Sequence, residues 1–450
     1  MENLKKRTVE YPFLTRPLTI YERENGHKII FGYKKGELVN VSTWVKTGSI
    51  NENDKNNGVS HFLEHLMFKG TNENKAGYFE RTLERKGALV NAATWKDYTF
   101  YYVTIPKGIN NENFYETLHL HADMMLDPVI PPEEIGEPFD INTELPKVKR
   151  ERFAVIEEIQ RRKDQPWTKV YNLLNHNMYK KHPYKRDVIG TEEIISKITR
   201  EEVLDYYKTH YTPNAMTTIV VGELEPEKIV NKVCEEFDFK GRKNYYPPKY
   251  DPDSSYDGKR IFEIEAQVET SIIMYGWLIA LADDIKAVIA FDIISIILGD
   301  GQSSRLYQEL VEKHSKEGII SAEASAYTFK DGGNFFIQAA FYPNKKDTVI
   351  KLIETEITKF LNEGFSDSEF KKAIKKLKVQ FAQDAETISE IAEKIGYYST
   401  VCKDVSKINE YYEILNTITK EDVSNIIKEY INMEQVTVAI LMPEKDNKEN

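Results

Sequence analysis

The sequence contains few cysteines, and this scarcity excludes both a disulfide-stabilised fold and a metal site built from thiolates. Only Cys234 and Cys402 occur among the 450 residues. Two distant thiols cannot form a disulfide framework, and they are too few for a zinc site built from thiolates. Both are consistent with a reducing compartment. The chain is nevertheless long enough to bury large cores without covalent cross-links.

Long apolar runs and an excess of positive charge are also missing. The most apolar segment, 287–298, contains an aspartate and is too short to cross a bilayer. The N-terminal segment lacks the apolar core of a signal peptide. We therefore predict no membrane span and a cytoplasmic location, or a periplasmic one if a targeting segment was removed. The formal net charge of −11 argues against a nucleic-acid partner, which would require a basic surface.

The pattern along the chain predicts an α+β fold with an internal duplication. Residues 237–258 combine Pro, Gly, Ser, Asp and Tyr without periodicity, which predicts a linker. On both sides of it the order helix, Gly, strand, turn, aromatic strand, Pro recurs at an offset of about 230 residues. We predict two similar domains, 1–236 and 259–450, each a mainly antiparallel β-sheet packed against helices.

Residues 61–65 read His-Phe-Leu-Glu-His within a predicted helix, Val59–Phe68. His61 and His65 share a face of that helix, because residues four apart are neighbours on its surface. Two neutral imidazoles at this spacing can bind one Zn²⁺, and Glu64 beside them can take a proton from water. Two surface histidines on an amphipathic helix are the alternative. The pattern is rare by chance in a chain with nine histidines, which favours a metal site.

A catalytic zinc usually has a third protein ligand and one open position. The predicted helix Glu151–Lys163 offers Glu151, Glu157 and Glu158. Glu151 and Glu158 share a face, whereas Glu157 points about 100° away. One carboxylate can bind the metal while another supports it. Spacing alone does not decide which one binds, and a solvated charged helix is the alternative.

Two further histidines lie close together without such a pattern. His119 and His121 are two residues apart, so they do not share a face of the predicted helix Phe114–Met125. We predict that both lie at the surface.

Around these motifs the sequence resembles the pitrilysin–insulysin family of zinc peptidases, whose inverted motif is His-x-x-Glu-His. GVSHFLEHLMFKGT resembles the metal helix of that family, and ERFAVIEE resembles its Glu-(six residues)-Glu pair. LGDGQSSRLYQELVEK resembles the opening of its second domain. The resemblance covers nearly the whole chain and is to the zinc-bearing subunit of the short, processing-peptidase-like bacterial members. In these, one chain forms half of a chamber.

The resemblance implies a zinc endopeptidase with one Zn²⁺ per chain. The roles it implies are zinc ligands His61, His65 and Glu158, general base Glu64, supporting carboxylate Glu151, and a substrate-pairing edge strand at Asn91 and Ala92. Backbone pairing at such an edge requires an extended substrate, so the substrate would be a peptide or an unfolded segment. A non-catalytic structural or assembly subunit of the same fold is the alternative.

The sequence departs from the family pattern in two places. Residues 133–150 lengthen the interval between His65 and Glu158, and we predict a surface insertion there. Single-chain and homodimeric members also carry an Arg and a Tyr that reach the substrate, but Val311 and Gly318 occupy those positions. Neither side chain can donate a hydrogen bond. We therefore predict a heterodimer in which a second homologous chain supplies the Arg/Tyr pair, with a self-sufficient homodimer as the alternative.

Overall fold

The computed structural model describes residues 4–142 and 150–444, which form two compact units. The first unit takes its described residues from Met1–Gln160, Arg186–Lys249 and Ala382–Asn409. The second takes them from Arg161–Lys185, Tyr250–Phe381 and Glu410–Asn450. Each unit thus draws on discontinuous stretches of chain, whereas the division predicted from the sequence is linear. That division into 1–236, 237–258 and 259–450 stays a prediction.

The described residues contain twelve strands. They are β1 (Lys5–Val9), β2 (Leu18–Glu22), β3 (Lys28–Tyr33), β4 (Leu38–Val45), β5 (Leu89–Thr94), β6 (Thr99–Pro106), β7 (Met216–Gly222), β8 (Arg260–Ala266), β9 (Ser271–Ile279), β10 (Ile319–Phe329), β11 (Gly332–Phe341) and β12 (Thr437–Pro443).

The α-helices of the same residues vary from single turns to five turns. They are α1 (Val59–Met67), α2 (Tyr78–Glu84), α3 (Glu112–Leu126), α4 (Pro132–Ile135), α5 (Glu151–Lys163), α6 (Pro166–Met178), α7 (Glu192–Ile195), α8 (Arg200–His210), α9 (Pro226–Glu236), α10 (Ile285–Gly299), α11 (Lys346–Glu363), α12 (Asp367–Gln383), α13 (Ile388–Thr400), α14 (Lys407–Thr417) and α15 (Lys420–Tyr430). In the described part of the chain, no helix is both long and apolar enough to cross a membrane.

The first unit is built on a sheet with strand order β1-β2-β3-β7-β4-β6-β5. Neighbouring strands run antiparallel except β3 and β7, which are parallel. Val41 of β4 lies between Val103 of β6 and Val220 of β7, and all three are fully buried. Because side chains alternate along a strand, this apolar face packs against α1 and α3 while β5 remains at the edge of the sheet.

The second unit repeats this arrangement. Its strand order is β10-β11-β9-β12-β8, and β12 and β8 are again the parallel pair. The order matches β5-β6-β4-β7-β3 of the first unit strand for strand. The prediction of an α+β fold with two similar, mainly antiparallel domains is confirmed.

One local expectation is wrong, and a second holds for only part of its range. His121 is fully buried and its ring contacts the Thr43 hydroxyl, whereas the neighbouring His119 is half-exposed. The two histidines lie on opposite faces of α3, and only the face that carries His121 packs against the core. The predicted surface insertion at 133–150 also includes Ile135 of α4, which is buried in the core of the first unit. Residues 143–149 of that insertion lie outside the described residues.

Candidate metal centre

Helix α1 carries the His-Phe-Leu-Glu-His motif and is held in place by its apolar side. Phe62, Leu63 and Leu66 are fully buried in the core of the first unit. His61 and His65 lie on the other side with their ring centroids 4.7 Å apart. Spacing of four residues therefore places the two imidazoles next to each other, as predicted from the helix period.

The beginning of α1 depends on a carboxylate from outside the helix. The helix starts after Gly58, which adopts a left-handed conformation (φ +96°) and has no side chain for capping. The buried carboxylate of Glu52 accepts hydrogen bonds from the amides of Gly58 (2.8 Å) and Ser60 (2.9 Å), and from the side chain of Asn57 (2.7 Å). A negative charge at this end also suits the helix dipole. Glu52 thus fixes the end of the helix that precedes His61.

Helix α5 is anchored by a fully buried arginine, Arg152. Its guanidinium donates to five backbone carbonyls, those of Ile135, Gly136, Ile195, Ser196 and Ile198. Ile135 and Ile195 end α4 and α7, and the partial negative charge of helix C-termini stabilises a buried cation. This anchor sets the position of the adjacent Glu151 and of Glu158 two turns later.

His61, His65 and Glu158 form a group with the spacing of metal ligands. The Oε2 atom of Glu158 lies 3.6 Å from the Nε2 atoms of both His61 and His65. Ligand atoms of a tetrahedral zinc ion are about 3.3–3.5 Å apart, so small movements would complete the site. Two imidazoles and one carboxylate are also a donor set that zinc accepts. These residues therefore fit the ion, whereas Glu157 on the same helix is exposed and points elsewhere.

Glu151 contacts His65 on the side away from Glu158. Its Oε1 atom lies 2.9 Å from Nδ1 of His65, and its Oε2 atom accepts a hydrogen bond of 2.5 Å from Nζ of Lys69. A proton on Nδ1 leaves Nε2 to face the metal position. Burial lowers the pKa of His65, but its contacts with Glu151 and Glu158 outweigh burial and raise the pKa to about 9. Metal binding at this site must therefore compete with a proton.

Glu64 lies beside the two histidines and is almost completely buried. The Thr94 hydroxyl at the end of β5 donates to its Oε2 atom at 2.5 Å. Burial raises the pKa of the Glu64 carboxyl, and the hydrogen bond from Thr94 opposes this rise. A raised carboxyl pKa suits a group that accepts and returns a proton near neutral pH.

Asn91 and Ala92 lie on β5, the edge strand that ends at Thr94. The Trp95 amide donates to the Tyr98 carbonyl, and hydrogen-bonded pairs alternate along an antiparallel ladder. With Ala92 opposite Tyr101, the Ala92 amide therefore points away from β6, towards the edge of the sheet. The side-chain oxygen of Asn91 accepts this outward amide at 2.9 Å.

The positions of the expected Arg/Tyr pair lie in the second unit. Val311 is part of a π-helix, Tyr307–Glu312, and Gly318 has a left-handed backbone (φ +85°) that suits glycine. The nearby Arg305 donates to both carboxylate oxygens of Glu369 and to the carbonyl of Gly364. Arg305 thus connects segments of its own unit.

Comparison with known proteins assigns both halves of the chain to one family. Residues 29–192 match the family described as insulinase (peptidase family M16). Residues 197–377 match the one described as peptidase M16 inactive domain. The chain belongs to the insulinase family of zinc peptidases. The family resemblance drawn from the motifs is thereby confirmed, and the motif lies in the half that matches the insulinase description.

Members of the insulinase family similar to this chain include proteins from bacteria and a plant. An uncharacterized zinc protease of Rickettsia felis is 26% identical over 392 residues, covering 86% of this chain and 89% of the relative. A probable mitochondrial-processing peptidase subunit beta of Arabidopsis thaliana is 24% identical over 422 residues, covering 90% and 74%. The crystal structure of a protease from Helicobacter pylori superposes with a TM-score of 0.83 at 25% identity, covering 98% of this chain and 100% of that one.

Four residues around the site were not selected from the sequence. Lys69 and Thr94 carried a usable signal, because Lys69 is four residues beyond His65 and Thr94 is two beyond Ala92 on an alternating strand. Arg152 carried none, because the carbonyls that it binds come from two distant segments of the chain. Glu52 carried none, because it is separated by a turn from the amides of Gly58 and Ser60 and shares no periodic pattern with them. All four hold groups of the site in position.

Proposed function

We propose that this chain is a zinc endopeptidase that hydrolyses peptides or unfolded polypeptide segments. The observation that supports it is the convergence of Nε2 of His61, Nε2 of His65 and Oε2 of Glu158, with the Glu64 carboxylate beside them. All members of the set come from α1 and α5, which are anchored by Glu52 and Arg152. One Zn²⁺ would be held by the two histidines and Glu158.

Zinc, when bound, supplies a Lewis acid that lowers the pKa of water to about 7 and polarises a peptide carbonyl. Glu64 acts as the general base that removes the proton from the attacking water and passes it to the leaving amine. Because the Thr94 hydroxyl already donates to Oε2 of Glu64, we assign proton transfer to Oε1. Glu151 orients the His65 ring through Nδ1 and does not touch the reacting atoms.

The substrate lies along β5 as an added strand. The Ala92 amide faces the edge of the sheet, where it can donate to a substrate carbonyl. For this to happen, its present hydrogen bond to the Asn91 side-chain oxygen must break. Thr94, two residues further along this strand, contacts Glu64. An extended segment that pairs with Ala92 therefore lies next to Glu64, the proposed general base. A folded substrate could not pair in this way.

A second homologous chain completes the enzyme. Val311 and Gly318 cannot donate side-chain hydrogen bonds to the substrate, so the partner contributes the Arg/Tyr pair and closes the chamber. The naming of the Arabidopsis relative as a subunit beta supports a heterodimer rather than a homodimer.

The substitution Glu64→Gln tests the proposed chemistry. It preserves the shape of the side chain but removes the base, so peptide cleavage should fall by about 10²–10⁴-fold while zinc content stays at one ion per chain. Glu84→Gln on the exposed surface of α2 is the matched control and should leave both unchanged. Wild-type activity in Glu64→Gln, or a protein without zinc, would contradict the proposal.

The partner is tested by measuring cleavage of a quenched fluorescent peptide by the purified chain. We expect low activity alone and a large increase when a homologous chain with Arg and Tyr at the aligned positions is added. Full activity of the chain alone would rule out the heterodimer. That result would leave the zinc chemistry intact and favour the homodimer.

A further inference from the structure

The turn that follows α1 places Lys69 on the same side as His65. Helix α1 ends at Met67, and the Lys69 amide donates to the Leu66 carbonyl at 3.0 Å, which holds the following residues against the end of the helix. Gly70 then reverses the chain with a left-handed backbone (φ +98°), where an added Cβ would lie 2.8 Å from the Ala76 amide nitrogen. The backbone of Lys69 is thus held between a helix and a tight turn. Lys69 follows His65 by four residues, and both side chains reach the carboxylate of Glu151.

Both oxygens of the Glu151 carboxylate have a donor. Nδ1 of His65 lies at Oε1 and Nζ of Lys69 lies at Oε2, at 2.9 and 2.5 Å. The three side chains are each largely shielded from solvent, with exposed fractions of 24%, 27% and 16% for His65, Lys69 and Glu151. Two charge-assisted bonds to different oxygens prevent the carboxylate from rotating. A rotating carboxylate would no longer hold the His65 ring at the angle that presents Nε2.

We propose that Lys69 is a positioning residue for the zinc site, acting through Glu151 on the orientation of His65. The inference rests on the proposed zinc site and adds a residue to it. Outer partners of metal ligands commonly contribute about 10–100-fold to metal affinity. Lys69 acts one contact further out, so its removal should weaken zinc binding by about tenfold, the lower end of that range.

Whether the removal of Lys69 weakens or strengthens zinc binding distinguishes a positioning role from a purely electrostatic one. A lysine ammonium repels a nearby divalent cation, so removing it would by charge alone strengthen zinc binding. Positioning requires the opposite result. Weaker zinc binding after the loss of a positive charge therefore identifies an orienting role.

The experiment measures the zinc dissociation constant of the whole chain by chelator competition, without substrate. Lys69→Met should weaken binding by about tenfold, and Lys69→Arg, which keeps the charge and N–H donors, should recover most of it. Lys55→Met removes the same charge from an exposed position upstream of α1 and should not weaken binding. Thermal unfolding of the metal-free variants checks that each one folds.

A double-mutant cycle decides whether Glu151 carries the effect. In a Glu151→Ala background, Lys69→Met should cause no further loss of affinity, because its contact is already gone. Unchanged or tighter zinc binding in Lys69→Met, or an equal loss in both backgrounds, would overturn the inference. Absence of zinc binding by the wild-type chain would instead refute the proposed function, so the two failures are distinguishable.

Discussion

The two units share a strand order but differ in the helix that packs behind the edge hairpin. In the first unit, α1 follows β4 and contacts β5; in the second, α10 follows β9 and contacts β10. Helix α1 has two histidines and a glutamate on one side. Helix α10 reads IKAVIAFDIISIILG and is buried on most of its surface. One scaffold therefore supports either a candidate metal site or a mainly apolar helix, which illustrates that function depends on the site and not on the fold.

The two helices are also capped differently. Asp284 precedes α10 and its own side chain accepts the Ala287 amide at 3.1 Å. Helix α1 instead relies on Glu52, which lies six residues before Gly58 in the sequence. The first amides of α10 are therefore capped by the residue next to the helix, whereas those of α1 are capped by a carboxylate that lies further upstream.

The largest expected difference between the units is in metal binding. Glu158→Gln removes a proposed zinc ligand, so zinc affinity should fall by more than the roughly 10–100-fold that outer partners contribute. Glu157→Gln makes the same change on the exposed side of α5 and should leave the affinity unchanged. Chelator competition measures both. Equal losses in the two variants would show that the charge of α5, and not one ligand, determines binding.

The next largest effect concerns the apolar helix. Phe291 is fully buried in α10, and Phe291→Ala should lower the free energy of unfolding by about 3–5 kcal/mol through lost burial and a cavity. Zinc affinity should not change, because the ligands lie in the other unit. Urea unfolding with and without zinc measures both quantities. A folded Phe291→Ala protein that binds zinc poorly would show that α10 contributes to the site after all.

Sequence patterns predicted the parts of this molecule that depend on local period. The spacing of His61 and His65 predicted their shared face, and the repeated hairpin pattern predicted the second sheet. Spacing could not choose between Glu151 and Glu158, because both reach α1. Glu151 contacts Nδ1 of His65, whereas Glu158 lies near Nε2 of both histidines, and this difference appears only in the folded chain. Their roles as ligand and supporting carboxylate stay predictions.

Residues whose partners are distant in sequence could not be predicted. The five carbonyls that surround Arg152 come from two segments, 135–136 and 195–198, so nothing near it in the sequence indicates its burial. The prediction of His121 at the surface is wrong, although the two-residue offset from His119 already places the two histidines on opposite faces of α3. The helix pattern of α3 was correct, and the missing information was which face met the sheet.

The smallest effects are expected at the helix caps. Asp284→Ala should cost about 1 kcal/mol, the usual cost of losing a side-chain cap, without any change in zinc affinity. Glu52→Ala should cost about 1.5–3 kcal/mol, because hydrogen bonds to a charged group contribute more and the amides of Gly58 and Ser60 lose their acceptor. It should also weaken zinc binding, since the turn before His61 is then no longer fixed. Denaturant unfolding and chelator competition on both variants make the comparison. If Asp284→Ala weakened zinc binding as much as Glu52→Ala, a general loss of stability would explain both results, and the remote cap would have no particular connection to the metal centre.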